Sequence, residues 1–161
     1  MITHLRIDNR LIHGQVAVTW KNHIGADKII VTNDKVAADP IQKMALPLAA
    51  RGSTVLVLTV DECIQYAKDH PEETMFVIAK YPSDALQILE SGVEVETLNV
   101  GNAAPINGTE YKMVDKSIAA TKEDAEIYRK IAEMRGGELI SHLTPANEPR
   151  DFLKLLDEAG F

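Results

Sequence analysis

Apolar residues along this chain fall into two patterns, short unbroken runs and stretches that repeat every three or four positions. The unbroken runs are Ile2–Ile7, Lys28–Thr32, Thr54–Leu58, Thr74–Ile78 and Val95–Val100, with little polar alternation. Such runs predict strands covered on both faces, because a strand with one wet face would alternate.

Between the runs the spacing becomes helical. A helix is expected to begin near Gly14-Gln15. Asp39-Pro40 reads as an N-cap with Pro at the first helical position, after which Ile41, Met44, Ala45 and Leu48 fall on one face. Pro47 lacks a backbone donor, so that helix is expected to kink or end early. Asp61 can cap a helix carrying Ile64 and Ala67, and Ser83 another carrying Ala85, Leu86 and Leu89 that Gly92 stops. From Thr121 to Arg135 a capping Thr, an Asp three residues on, and Ile127, Tyr128 and Ile131 in register predict a further helix closed by Gly136. A strand near Glu138–Leu143 and a helix over Pro149–Ala159 complete the series.

Strand–helix alternation of this kind predicts an α/β fold, a doubly wound and mostly parallel sheet with helices on both faces. The exception is the Gly/Asn/Pro-rich loop Gly101–Tyr111, which leads into Lys112–Ala119, read as one extra, antiparallel strand. No internal repeat, low-complexity segment or linker interrupts the pattern, so residues 1–161 are expected to form a single domain.

Composition narrows the function. With 17 Lys+Arg against 24 Asp+Glu, the net charge of −7 makes the chain a poor phosphate-backbone binder, so no nucleic-acid partner is expected. No apolar run approaches the roughly 20 residues of a membrane-spanning helix. The start, Met1-Ile2-Thr3-His4-Leu5-Arg6, lacks the charged leader and apolar stretch of a signal peptide. Cys63 is the only cysteine, which excludes an internal disulfide and reads as a small buried hydrophobe. The expectation is a cytoplasmic globular protein.

In doubly wound folds ligands bind at the carboxyl ends of strands. The first such loop, Arg6-Ile7-Asp8-Asn9-Arg10-Leu11-Ile12-His13-Gly14-Gln15, is the segment richest in chemistry. A helix starting near Gly14 and Gln15 would offer free N–H groups to an oxyanion, and Arg10 could grip the same anion bidentately. His13, with Asp8 near enough to orient it, has the parts of a nucleophile that accepts a phosphoryl group. On spacing alone, a lone histidine beside a helix start is more often a cap or a satisfied polar residue. No metal site is expected: His4, His13 and His23 lack the i, i+4 spacing of a helical pair, and His70 and His142 belong to other elements.

Arg6-Ile-Asp-Asn-Arg-Leu-Ile-His-Gly-Gln-Val16, followed by Trp20, closely resembles the N-terminal signature of the IIB components of the bacterial sugar phosphotransferase system, in the mannose/fructose/sorbose family. The resemblance continues through Asn33–Lys43, Asn99-Val100-Gly101-Asn102 and Thr144-Pro145. It implies a protein-Nπ-phosphohistidine–sugar phosphotransferase that uses no cofactor. His13 would carry phosphate on Nδ1, taken from a phosphohistidine of the IIA partner and passed to a sugar held by the membrane IIC/IID components. The family's phosphate-binding arginine falls on Arg10 and its loop aspartate on Asp8. Many members have a second Asp where this chain has Asn9, which makes the loop more positive. Arg6-Ile7-Asp8-Asn9-Arg10 with Val18-Thr19-Trp20 and Ile24-Gly25-Ala26 looks most like the branch handling N-acetylgalactosamine and related amino sugars.

Other candidates carry two readings each. Asp34 could line the cleft or shape a turn, and Asp39 could do likewise or cap a helix. Asn99 and Asn102, flanking Gly101, could border the site or only build its backbone. Arg6 could point at the phosphate or into an ion pair. Trp20 reads as core, and His23 and His70 as solvated helix ends. Oligomerisation is compatible with all of this. Two rival functions are a non-catalytic regulatory module, against which the intact His13 and Arg10 argue, and a nucleotide-binding enzyme. The second lacks both G-x-x-x-x-G-K-[ST] and G-x-G-x-x-G.

Overall fold

The computed structural model describes residues 1–161. The apolar runs form strands β1 (Ile2–Ile7), β2 (Lys28–Thr32), β3 (Val55–Leu58), β4 (Met75–Ala79) and β5 (Val95–Val100), each within a residue of its predicted place. The helices are α1 (Val16–Ile24), α2 (Asp34–Ala38), α3 (Pro40–Ala49), α4 (Val60–Asp69), α5 (Pro82–Glu90), α6 (Lys122–Met134) and α7 (Phe152–Glu158). Strands β6 (Tyr111–Asp115), β7 (Ile118–Thr121), β8 (Ile140–Ser141) and β9 (Arg150–Asp151) complete the set. The main sheet runs β3-β2-β4-β1-β5-β8-β9, parallel through β8 with β9 antiparallel at the edge.

Strand parity divides the core. Ile30 of β2 and Met75, Val77 and Ala79 of β4 face one core with α4, α5, α6 and α7. Ile29, Val31, Phe76 and Ile78 face the other, beneath α1 and α2, where Trp20 is buried as expected. Helices thus cover both faces, and β1 ends between β4 and β5 with its crossover leaving on the α1 side. The loop after β1 therefore opens at a point where neighbouring connections diverge.

Several boundaries differ from the sequence reading. Lys112–Ala119 is not one strand but the β6–β7 hairpin, whose Asp115↔Ile118 pairing closes a turn at Lys116-Ser117. That turn lacks the Asn-Gly or Asp-Gly signal that would have marked it. The strand expected over Glu138–Leu143 is confined to Ile140–Ser141, and Arg150-Asp151 pair with it before Asp151 caps α7, so that helix starts later than Pro149. Helix α4 begins with the Thr59/Glu62 capping box rather than at Asp61. In α5, Asp84 accepts from the Tyr81 N–H and Pro82 takes the first position, so Ser83 is inside the helix. Helix α2, five residues long and capped by Asn33, is too short to show a period.

Helix α3 departs most. Asp39 caps it as expected, and the helix runs on through Pro47 to Ala49. Lys43, whose carbonyl loses a donor to Pro47, is exposed. The Ile41, Met44 and Leu48 stripe faces outward, each residue more than two-thirds exposed. The inward face is Gln42, Leu46 and Ala50, with Leu46 packed on the second core.

Cys63 is buried and its thiol is pushed up to about 12 by desolvation, so it is an inert core residue. His70 closes α4 half-buried, its ring stacked on Tyr66, while His23 is exposed beside Trp20.

On β1, His4 and Arg6 face the second core opposite Thr97 and Asn99 of β5. His4 stacks against Trp20 with ring centroids 5.2 Å apart, and its Nδ1 meets the Thr97 hydroxyl at 2.6 Å. Because that hydroxyl donates to the Thr3 carbonyl, it accepts from the His4 Nδ1–H. Burial lowers the His4 pKa to about 4, and the charges of Arg6, His142 and His23 add to the effect. The folded value lies below the unfolded one, so the unfolded chain binds the extra proton between them. His4 therefore adds stability that is full above pH 6.5 and lost as pH falls toward 4, on the order of 3 kcal/mol. His4→Leu is expected to flatten that part of the stability profile, measured by urea unfolding from pH 4 to 7; an unchanged slope contradicts it.

Candidate functional site

The site is built outward from Arg6. Its guanidinium, 2% exposed, donates from Nε to Asp8 Oδ2 (3.4 Å), from Nη1 to Asn99 Oδ1 (3.2 Å) and the His142 carbonyl (2.6 Å), and from Nη2 to the Leu143 carbonyl (2.8 Å). The Trp20 ring lies 5.2 Å away and itself donates to the Leu143 carbonyl. Desolvation lowers the Arg6 pKa to about 10 although Asp8 pulls it upward, so the group stays charged at neutral pH. Of its two sequence readings, the structure has the ion pair. Arg6 is too buried, and too fully engaged by protein acceptors, to be a phosphate ligand.

Asp8 passes this order to the loop. Its Oδ2 holds Arg6, while Oδ1 accepts from the Arg10 N–H (3.0 Å) and pairs with Arg10 Nε (3.6 Å). It makes no hydrogen bond to His13, so of the roles expected for it the structure has the ordering of the loop. The Leu11 N–H donates to the Asp8 carbonyl, closing a turn. Leu11 then takes φ 61°, the only positive value outside glycine, a conformation that costs about 1–3 kcal/mol. Burial of Leu11 and Ile12 in the second core holds it there. With those two side chains inward, His13, Gly14 and Gln15 are left exposed. The Gly14 and Gln15 N–H groups have no protein acceptor where α1 begins, and Gln15 is its N-cap. Arg10, under one-third exposed, has both Nη atoms unpaired.

The rim of the loop comes from the segment after β5. Asn9 donates to the Ala104 carbonyl and accepts from the Ala104 N–H, both at 2.9 Å. A carboxylate could not make the first bond, which gives a physical use for Asn at this position. Asn99 is fully buried and supports Arg6, with its amide nitrogen unpaired. Asn102 is buried beside Arg10. Asp34 accepts from the Val60 N–H, joining α2 to α4, and none of its polar contacts reaches residues 6–15. Not foreseen were the His142 and Leu143 carbonyls, which follow the two-residue strand β8. Gly101 is required by packing, because a Cβ there would sit 2.3 Å from Arg6 Cζ.

One exposed loop thus carries an imidazole, a tethered arginine with a free outer edge and unpaired amides at a helix start, groups chemically suited to a small oxyanion and to nucleophilic attack. The model of the phosphotransferase-system (PTS) sorbose-subfamily IIB component matches residues 2–161. The chain belongs to this family. A crystal structure of the IIBSor domain of the sorbose permease from Klebsiella pneumoniae superposes with a TM-score of 0.90, at 30% identity over 100% of this chain and 99% of that one. The N-acetylgalactosamine-specific phosphotransferase enzyme IIB component 2 of Escherichia coli K12 is 32% identical over 94% of this chain and 96% of its own length. The mannose-specific EIIAB component of the same strain is 34% identical over 83% of this chain and 42% of its own length. This IIB component is accordingly a phosphoryl relay of a sugar phosphotransferase system, on the α/β fold of its relatives.

For the IIB chain, Gly101→Ala is expected to displace the Arg6 guanidinium and destabilise the fold by about 2–4 kcal/mol, read as a lowered urea midpoint. Stability equal to the parent chain would show that Arg6 can move without cost.

Proposed function

We propose that His13 is the phosphoryl carrier of this IIB component, accepting from the phosphohistidine of a IIA partner and donating to a sugar at membrane IIC/IID components. The observation that carries this reading is the exposed, unpartnered His13 ring beside the Gly14 and Gln15 amides in a loop that also tethers Arg10. As the donor's P–N bond breaks, its nitrogen keeps the electron pair and a neutral His13 nitrogen, Nδ1 by family resemblance, bonds to phosphorus in line. The charge on the three equatorial oxygens is met by the Arg10 Nη edge and the free amides. Positioning and electrostatics suffice, and no cofactor is required.

A IIA donor is supported by the mannose relative, whose name joins A and B in one protein. Residues 1–161 would act as one unit in the cytoplasm, held at the membrane only through IIC/IID; no helix is long and apolar enough to cross a membrane. For the sugar we favour N-acetylgalactosamine or a related amino sugar, on the loop resemblance and the identity to the IIB component named for it. Transfer assays with membranes carrying candidate IIC/IID pairs decide this: faster phosphorylation of sorbose or mannose overturns the choice.

His13→Ala is expected to abolish acid-labile, base-stable phosphorylation by phospho-IIA, and labelled phosphate on that variant would refute the assignment. Arg10→Ala is expected to fold and to transfer about 100- to 1,000-fold more slowly.

A further inference from the structure

Arg10 is gripped at Nε from two sides. Asp8 Oδ1 lies 3.6 Å from that nitrogen. On the other side, the Asn102 amide in its satisfied orientation accepts through Oδ1 from Arg10 Nε at 3.1 Å and from the Ala103 N–H at 3.3 Å. In the same orientation its Nδ2 donates to the Ser117 carbonyl at 3.1 Å; reversing the amide would put oxygen against acceptor and nitrogen against donors. Asn102 is 6% exposed, so water competes little for these bonds. Ser117 belongs to the β6–β7 turn, and the Asn102 carbonyl also accepts from the Asn9 N–H at 3.0 Å. Asn102 therefore touches the arginine, the loop that carries it and the hairpin at once.

We propose that Asn102 is the positioning residue for Arg10 in phosphoryl transfer, tying that guanidinium through Ser117 to the β6–β7 turn. This rests on reading Arg10 as the phosphate ligand. An arginine this exposed would sample many rotamers, and each phosphoryl transfer would have to order it. Fixing Nε and leaving both Nη groups free presents the outer edge already aimed, while Asp8 supplies charge but at a longer distance. The neutral amide restrains the arginine without neutralising it, which a second carboxylate in the same place would do.

The test compares Arg10→Ala, Asn102→Ala and the double variant for the initial rate of phosphorylation by a phosphorylated mannose-type IIA domain. Asn102→Ala is expected to slow transfer on the order of 10- to 100-fold, and the double variant to be no slower than Arg10→Ala alone. If Arg10→Ala transfers at the parent rate, the reading of Arg10 itself fails. If Arg10→Ala is slow but Asn102→Ala has no effect, or multiplies fully with it, the positioning role is overturned. A second measurement needs no variant. In ¹⁵N NMR of the intact chain, the Arg10 Nε–H is expected to exchange with water more slowly than that of the exposed Arg51; equal rates overturn the proposal.

Discussion

A charged guanidinium sealed inside the protein is the constraint on which this structure depends. Burying Arg6 is tolerable only if its donors find acceptors, and those acceptors come from the loop after β1, the end of β5 and the segment after β8. Three separate stretches of chain must therefore converge before the group is satisfied. Trp20 closes the remaining side from α1. The arrangement explains why Gly101 carries no side chain, why Asn99 is polar in a core position, and why the 142–143 carbonyls turn inward.

From that anchor the site follows by short steps. Asp8 holds Arg6 with one oxygen and the Arg10 backbone with the other, so order in the buried pair becomes order in the loop. The loop spends backbone strain at Leu11 and recovers it by burying Leu11 and Ile12. Those two side chains pin the chain immediately before His13, which leaves the imidazole exposed on a firmly held base. The role proposed for His13 uses both properties, since a donor and an acceptor would have to reach the same nitrogen while the phosphate ligands stay in register.

Much of this was legible in the sequence, and the parts that were not have physical reasons. The strands were visible because burial on both faces leaves unbroken apolar runs. The clustering of His13, Arg10 and Asp8 was visible because one loop supplies all three. Arg6 was ambiguous because strand alternation puts it inward beside His4, but only the distant His142 and Leu143 carbonyls decide what it meets. Long-range backbone acceptors have no signature in composition. The outward turn of the α3 stripe was not legible, because amphipathic spacing reveals that a helix has an apolar face, not which way it turns. The β6–β7 turn was missed because Lys116-Ser117 is not turn-specific.

The same logic recasts the acidity of the chain. A net charge of −7 would oppose an incoming phosphoryl group if the charge were spread evenly. It is not: the loop holds Arg6 and Arg10 against Asp8 alone, because position 9 is Asn. That residue does two things that an aspartate could not combine. It leaves the loop one negative charge poorer, and its amide donates to and accepts from Ala104, closing the loop onto the segment after β5. The Asn102 amide joins that segment to Arg10 without adding charge. Amides at positions 9 and 102 thus give the loop the cohesion that carboxylates would give elsewhere, while keeping its potential favourable to an anion.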